Sequence, residues 1–313
     1  MNRLPRKRGR GLAAAALLAA CLWPAGAAAQ VPGAVRVPNP VELPAVPRRP
    51  VQPGGYALTL ERATEWLQAA NPTLRAAREK LARARAANGG IAEAEREAAE
   101  VARRSLLALR TAYFEAVLAR LLIYEAEENL GYFDNYINRM QARAEEGVAP
   151  ESEAAKWRLE KARVLDALAE ERLRERLARI RFFSLLGGTN STMYGDLLIH
   201  LAEAPAAPLQ PGWEAWVREG ADAAAVEAAW AAAETHRQRA VAIRSQQFAQ
   251  AEYLRGVAAS YYNENEAPLI ALLDAQRTRW SVRQEYWRAL AGYHISLAEL
   301  DAASGRAAKE ETP

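Results

Sequence analysis

Between residues 93 and 146 the chain carries no proline, and its one glycine, Gly131, is a residue that a long helix tolerates. Apolar side chains recur there at Leu106, Leu109, Tyr113, Val117, Leu121, Tyr124, Leu130, Phe133, Ile137 and Met140. Apart from one skipped turn the steps are threes and fours, the spacing of a single helical face. Unbroken, such a helix is roughly 80 Å long at 1.5 Å per residue. An element of that length needs other helices laid along it to cover its apolar face. The run Gly147-Val148-Ala149-Pro150-Glu151-Ser152-Glu153 then reads as a reversal, a proline and an acidic first turn. A return helix over residues 151–186 follows, with Trp157, Val164, Leu168, Leu177, Ile180 and Phe183 on its seam. Arg and Glu at helical spacings fill its remaining positions and predict a solvated, ion-paired outer face.

The same plan recurs near the C-terminus. A helix ends near Asn263, Glu264-Asn265-Glu266-Ala267 turns the chain, and Pro268 opens the next helix at a position where proline is accepted. Its face runs Leu269, Leu272, Trp280, Tyr286, Leu290, Tyr293, Leu297 and Leu300, with Gln276 as a polar exception and a skipped step at Arg283. Gly305 is a helix stop. Upstream, residues 213–217 and 223–233 resume helix and residues 240–262 form the outgoing arm. Alanine, glutamate, arginine and leucine dominate while β-branched residues are thin, as long helices require. These features predict an all-α fold of two tandem long antiparallel helical hairpins, related by internal duplication, with little or no β-barrel.

Residues 1–29 read as an export signal, with Arg3, Arg6, Lys7, Arg8 and Arg10 before an apolar run and Ala27-Ala28-Ala29 as the cleavage site. Those cations lie among 41 Lys and Arg in all, and no acid accompanies them, so removing the segment takes the net charge from +3 to −2. A nucleic-acid partner thereby loses its electrostatic support. Cys21, the one cysteine, closes Leu18-Ala19-Ala20-Cys21, a lipobox-like run; cleavage there and cleavage after Ala29 are both open. Residues 30–57 form a proline-rich extended leader. Residues 58–188 are the first helical repeat, 189–212 the linker, 213–305 the second repeat and 306–313 a charged tail. Within the first repeat, Thr59 is an N-cap, Asn71-Pro72 restarts the helix and Asn88-Gly89-Gly90 breaks it. His200, His236 and His294 show no metal-ligand spacing, and no nucleophile, phosphate-binding or dinucleotide motif is present. The chain reads as a non-enzyme without cofactor or metal site.

A tyrosine, a turn and Leu272-Leu273-Asp274-Ala275-Gln276-Arg277-Thr278, in the second half of a duplicated helical chain, resemble the TolC family of outer membrane efflux proteins. The turn Gly147–Glu153 is similar to that of its heavy-metal, CzcC-like branch. The order Leu58-x-Leu60-Glu61, short helix, Asn71-Pro72, longer helix is also the family's opening. The resemblance implies a homotrimer whose helices line a periplasmic tunnel. It further implies a periplasmic adaptor (membrane fusion protein) and an inner-membrane RND-type pump as partners. The docking surface would be the hairpin tips, Gly147, Val148, Ala149, Pro150 and Glu151 with Asn263, Glu264, Asn265, Glu266 and Pro268, and Asp274 would face the aperture. Barrel strands are expected of the family at residues 86–98 and 234–246, but neither place has the apolar/polar alternation of a membrane strand. A barrel-less periplasmic scaffold that binds an envelope partner, or anchoring by lipidation at Cys21, is the alternative.

Overall fold

The computed structural model describes residues 58–148, 150–188, 197, 201–218, 220–264 and 267–305. The signal, Cys21, the leader and the tail lie outside them. Seven α-helices carry the fold: α1 (Leu60–Ala70), α2 (Pro72–Ala86), α3 (Ile91–Glu145), α4 (Glu151–Leu185), α5 (Ala223–Ala242), α6 (Phe248–Asn263) and α7 (Leu269–Ser304). No β-strand occurs among the described residues; Leu58 and Leu197 form one isolated parallel bridge.

Local chemistry sets the boundaries. Thr59 Oγ1 accepts the Arg62 N–H at the start of α1, and Asn71 Oδ1 accepts the Leu74 N–H at the start of α2. The Asn71 amide also donates to the Leu185 carbonyl at 2.7 Å, tying the α1–α2 corner to the end of α4. Pro150 and Pro268 stand at the N-caps of α4 and α7, one residue ahead of the first turn proper. Gly305 takes the left-handed conformation that closes α7.

Helix α3 is the spine. It packs along α4 on one side and α7 on the other, and α7 in turn packs against α5 and α6. Two apolar clusters fill the seams. The one near the α1 end joins Leu67, Leu109, Tyr113, Val117, Phe182, Ile243, Tyr286 and Leu290. The one near the tips joins Phe133, Ile137, Met140, Trp157, Val164, Leu168, Tyr262 and Leu272. Trp157 is fully buried and lies 4.7 Å from the Tyr136 ring and 5.5 Å from the Phe133 ring.

Three expectations need correction. Leu177 and Ile180 are not on the intramolecular seam of α4: they are 49% and 59% exposed, because the face turned to α3 is occupied by Ala178, Phe182 and Phe183. The carboxylates of α4 do not all lie on a solvated face, since Glu160 and Glu171 are buried. The second outgoing arm starts at Ala223, not residue 240; α5 passes through a π-helical turn (Ile243–Gln247) directly into α6. The halves are therefore unequal, because the short helices α1 and α2 have no counterpart of the same form in the second half.

Candidate functional site

The two reversals that the sequence singles out lie side by side. Arg139 of α3 donates to the Asn263 side chain at 3.1 Å, and the Tyr262 hydroxyl donates to Glu153 Oε2 at 2.6 Å. Tyr262 is buried beside Met140, and burial, followed by the hydrogen bond to Glu153, pushes its pKa up. The hydroxyl therefore stays protonated and is available as a donor. Sequence reading placed Tyr262 only at a helix end; its role as the link between hairpins comes from tertiary packing.

At the first tip, Gly147 has φ +70°, the left-handed region, with nothing near its missing Cβ. Val148 is 61% exposed, and Pro150 and Glu151 are also exposed. At the second tip, Asn263, Glu264 and Pro268 are exposed, and Glu264 accepts from Ser260 Oγ at 2.9 Å. Ala149, Asn265 and Glu266 lie outside the described residues. Asp274 sits on the exposed face of α7 and is paired with Arg277 at 2.8 Å. Arg277 also reaches the buried Glu160 of α4, so this part of α7 is braced across to the first hairpin.

Behind the tips lies a polar layer between the two apolar clusters. Arg283 donates to both oxygens of Glu125 and to Glu128, and Trp287 Nε1 donates to Glu125 Oε1 at 2.9 Å. Arg279 joins Glu128 of α3 to Glu252 of α6. Gln276 donates to Asn129 at 2.6 Å, and Asn129, Gln276, Glu125 and Arg283 are all buried. The polar exception at Gln276 and the skipped step at Arg283 were the sequence signals of this layer. Their partners on α3 fall outside the apolar series and are not legible from it.

A second buried ion pair pins the inter-repeat segment to α5. Glu234 accepts from Arg237 and from the Leu209 N–H, while Arg237 donates to the Pro205 and Ala206 carbonyls. Hydrogen bonding to Arg237 holds the Glu234 carboxyl well below the usual range, at about 2. His236 lies over Gly292, where a Cβ would fall 2.8 Å from the imidazole ring. His294 Nε2 is 2.7 Å from the Ala202 carbonyl, and its ring stacks on Phe114. Among the described residues no group of three His, Cys, Asp or Glu is arranged to hold a metal ion, and no described helix is long and apolar enough to cross a membrane.

Tandem hairpins with neighbouring tips define a class of protein, the helical portion of outer membrane channels. The solved structures that resemble this chain are of that kind. The outer-membrane channel OprN matches with a TM-score of 0.64 and 14% identity, over 79% of this chain and 89% of that one. CusC, a protein that forms a transmembrane channel, matches with a TM-score of 0.63 and 11% identity, over 80% and 92%. The outer membrane protein VceC from Vibrio cholerae matches with a TM-score of 0.59 and 13% identity, over 79% and 96%. The chain thus has the TolC-like channel fold. No protein-family model matches the sequence, and no curated protein matches it.

The places where channel strands are expected are helical here. Residues 86–98 hold the end of α2, the reversal at residues 87–90 and the first turns of α3. Residues 234–246 lie inside the continuous α5–π–α6 rod and include the Glu234–Arg237 pair.

Proposed function

We propose that this chain is the tunnel-wall component of a TolC-like efflux assembly, exported to the periplasm or to the periplasmic side of the outer membrane. The observation that carries this reading is the pairing of two hairpin tips by Tyr262–Glu153 and Arg139–Asn263 within a channel fold. A passive, non-catalytic role suits that geometry. In this reading the tips, Gly147 to Glu151 and Asn263 to Pro268, dock a periplasmic adaptor that in turn serves an inner-membrane RND-type pump. Asp274 faces the aperture, and heavy-metal cargo follows from the branch that the first turn resembles.

The edge helices support assembly into a ring. Helix α4 leaves Leu159, Leu165, Leu173, Leu177 and Ile180 exposed at one edge, and α6 leaves Tyr253, Leu254 and Tyr261 exposed at the other. Apolar surface on two different edges favours head-to-tail contact, and a closing rotation of such contacts makes a cyclic trimer.

A photo-crosslinking residue placed at Val148 tests the docking, because that side chain is open to solvent. The expected product in cells is an adduct with a periplasmic adaptor, together with increased susceptibility to toxic metal salts when the gene is deleted. Adducts with some other envelope protein and unchanged susceptibility would leave the barrel-less scaffold as the function. Helices where strands are expected are the observation that favours that second reading.

A further inference from the structure

The other end of α3 carries a feature that tip docking does not use. Arg110 of α3 pairs with Asp301, near the end of α7, and Arg181, near the end of α4, pairs with Glu115. Helices α4 and α7 therefore stop about level with residues 110–115 of α3. The preceding turns of α3 run on for roughly 25 Å at 1.5 Å per residue. Helix α2 folds back against them, held by Lys80–Glu97 and Arg85–Glu95. The result is a two-helix arm projecting past the rest of the bundle, closed by a turn in which Asn88 and Gly90 have positive φ.

Charge on this arm is uneven. Helix α2 presents Arg75, Arg78, Lys80, Arg83 and Arg85 to solvent against one carboxylate, Glu79. Its buried side chains are Leu74 and Ala77. Arg75 and Arg83 point away from α3, roughly 80° apart on a 3.6-residue helix, and have no ion pair among the described residues. The side chains between them are small or charged, so the outward face of α2 has nothing bulky and apolar to insert into hydrocarbon. The opposite end of the molecule is acidic, with Glu145, Glu146, Glu151 and Glu264 exposed at the tips.

We propose that the α2 side of this arm rests on a surface of anionic phospholipid headgroups, as a peripheral and non-inserting contact. A cluster of four to eight cations on one helix attracts such a surface, and guanidinium groups match phosphate oxygens in bidentate geometry. The location rests on the proposed function, because the arm occupies the place where channel strands are expected to enter the outer membrane. Contact with the periplasmic leaflet would then substitute, by electrostatics, for the anchoring that a barrel provides. It orients the tips, some 80 Å away along α3, toward the opposite membrane. Adsorption of this type weakens steeply with salt.

The test uses the protein purified from the cell envelope with Cys21→Ser, so that no acyl chain contributes. Co-sedimentation is measured with vesicles of phosphatidylethanolamine and phosphatidylglycerol, and with vesicles of phosphatidylcholine alone. Expected is binding to the anionic vesicles only, lost at high salt. Arg75→Gln with Arg83→Gln should weaken it about 30-fold, at about tenfold or slightly less per cation. Glu145→Gln with Glu146→Gln, at the far end, should not weaken it. Equal binding to both vesicle types, or a double arginine variant that binds like the parent, overturns the inference. Native mass in the same preparation separates it from the efflux reading. A trimer that ignores vesicles sinks only the membrane contact, and a monomer that binds them sinks only the ring.

Discussion

Glu125 is a carboxylate held out of water by three helices, and its free energy depends on Arg283. Taking a charge into the interior costs several kcal/mol unless both the opposite charge and the remaining hydrogen bonds are supplied. Here Arg283 and Trp287 supply them. Arg283→Met should therefore cost about 3–5 kcal/mol by leaving Glu125 buried without its cation. Adding Glu125→Leu should recover most of that loss, since an apolar pair of similar volume is tolerated. Urea unfolding followed by helical circular dichroism checks both values, and a double variant no more stable than the single one contradicts the account. The Glu234–Arg237 latch gives a pH prediction. Its folded carboxyl titrates at about 2, below the ordinary range, so its stabilisation is present above about pH 4.5. That stabilisation is lost as pH falls from there toward 2. Glu234→Gln should flatten this part of the stability profile, measured as urea midpoint against pH.

At the scale of the element, a helix of 55 residues needs cover along its whole length, and the turns decide where that cover returns. Gly147 and Gly187 both take positive φ, yet they differ in surroundings. Nothing lies near the missing Cβ of Gly147, whereas a Cβ at Gly187 would meet the Ala70 carbonyl oxygen at 2.9 Å. Gly147→Ala should cost only the left-handed backbone penalty, about 1–2 kcal/mol. Gly187→Ala should cost more, because backbone atoms that close α1 against α4 would have to move. Thermal melts of the two variants check the order; equal losses would mean that the α1 corner yields freely. Alternation was rightly missing at residues 234–246, but nothing in the apolar pattern disclosed an uninterrupted rod from Ala223 to Asn263. Its π turn keeps Ile243 and Phe248 buried across a shift in helical phase, and that phase is set by α7.

Across the whole molecule, the exposed apolar residues lie on the edge helices, which is why Leu177 and Ile180 looked like seam residues. Their spacing is that of a packed face, but the face they belong to is turned away from α3. Leu177→Arg with Ile180→Arg should leave helicity and monomer stability nearly unchanged, within about 0.5 kcal/mol for surface positions. In the proposed ring the same pair should shift the native mass from trimer to monomer. An unchanged mass would place the subunit contact elsewhere.

Helix length, the two reversals and the poverty of strand signals are local properties of the chain. Proline, glycine and period 3.6 act within a few residues, so the all-α hairpin fold was legible from order alone. The tip residues were legible for the same reason. Partnership between distant positions was not. Tyr262 with Glu153, Arg283 with Glu125, and Glu234 with the inter-repeat carbonyls each join residues whose proximity depends on how helices rotate about their axes. Periodicity fixes which residues share a face but leaves that face's direction free. Packing against α3 and α7 decided it, turning part of the apolar pattern outward and part of the charge pattern in.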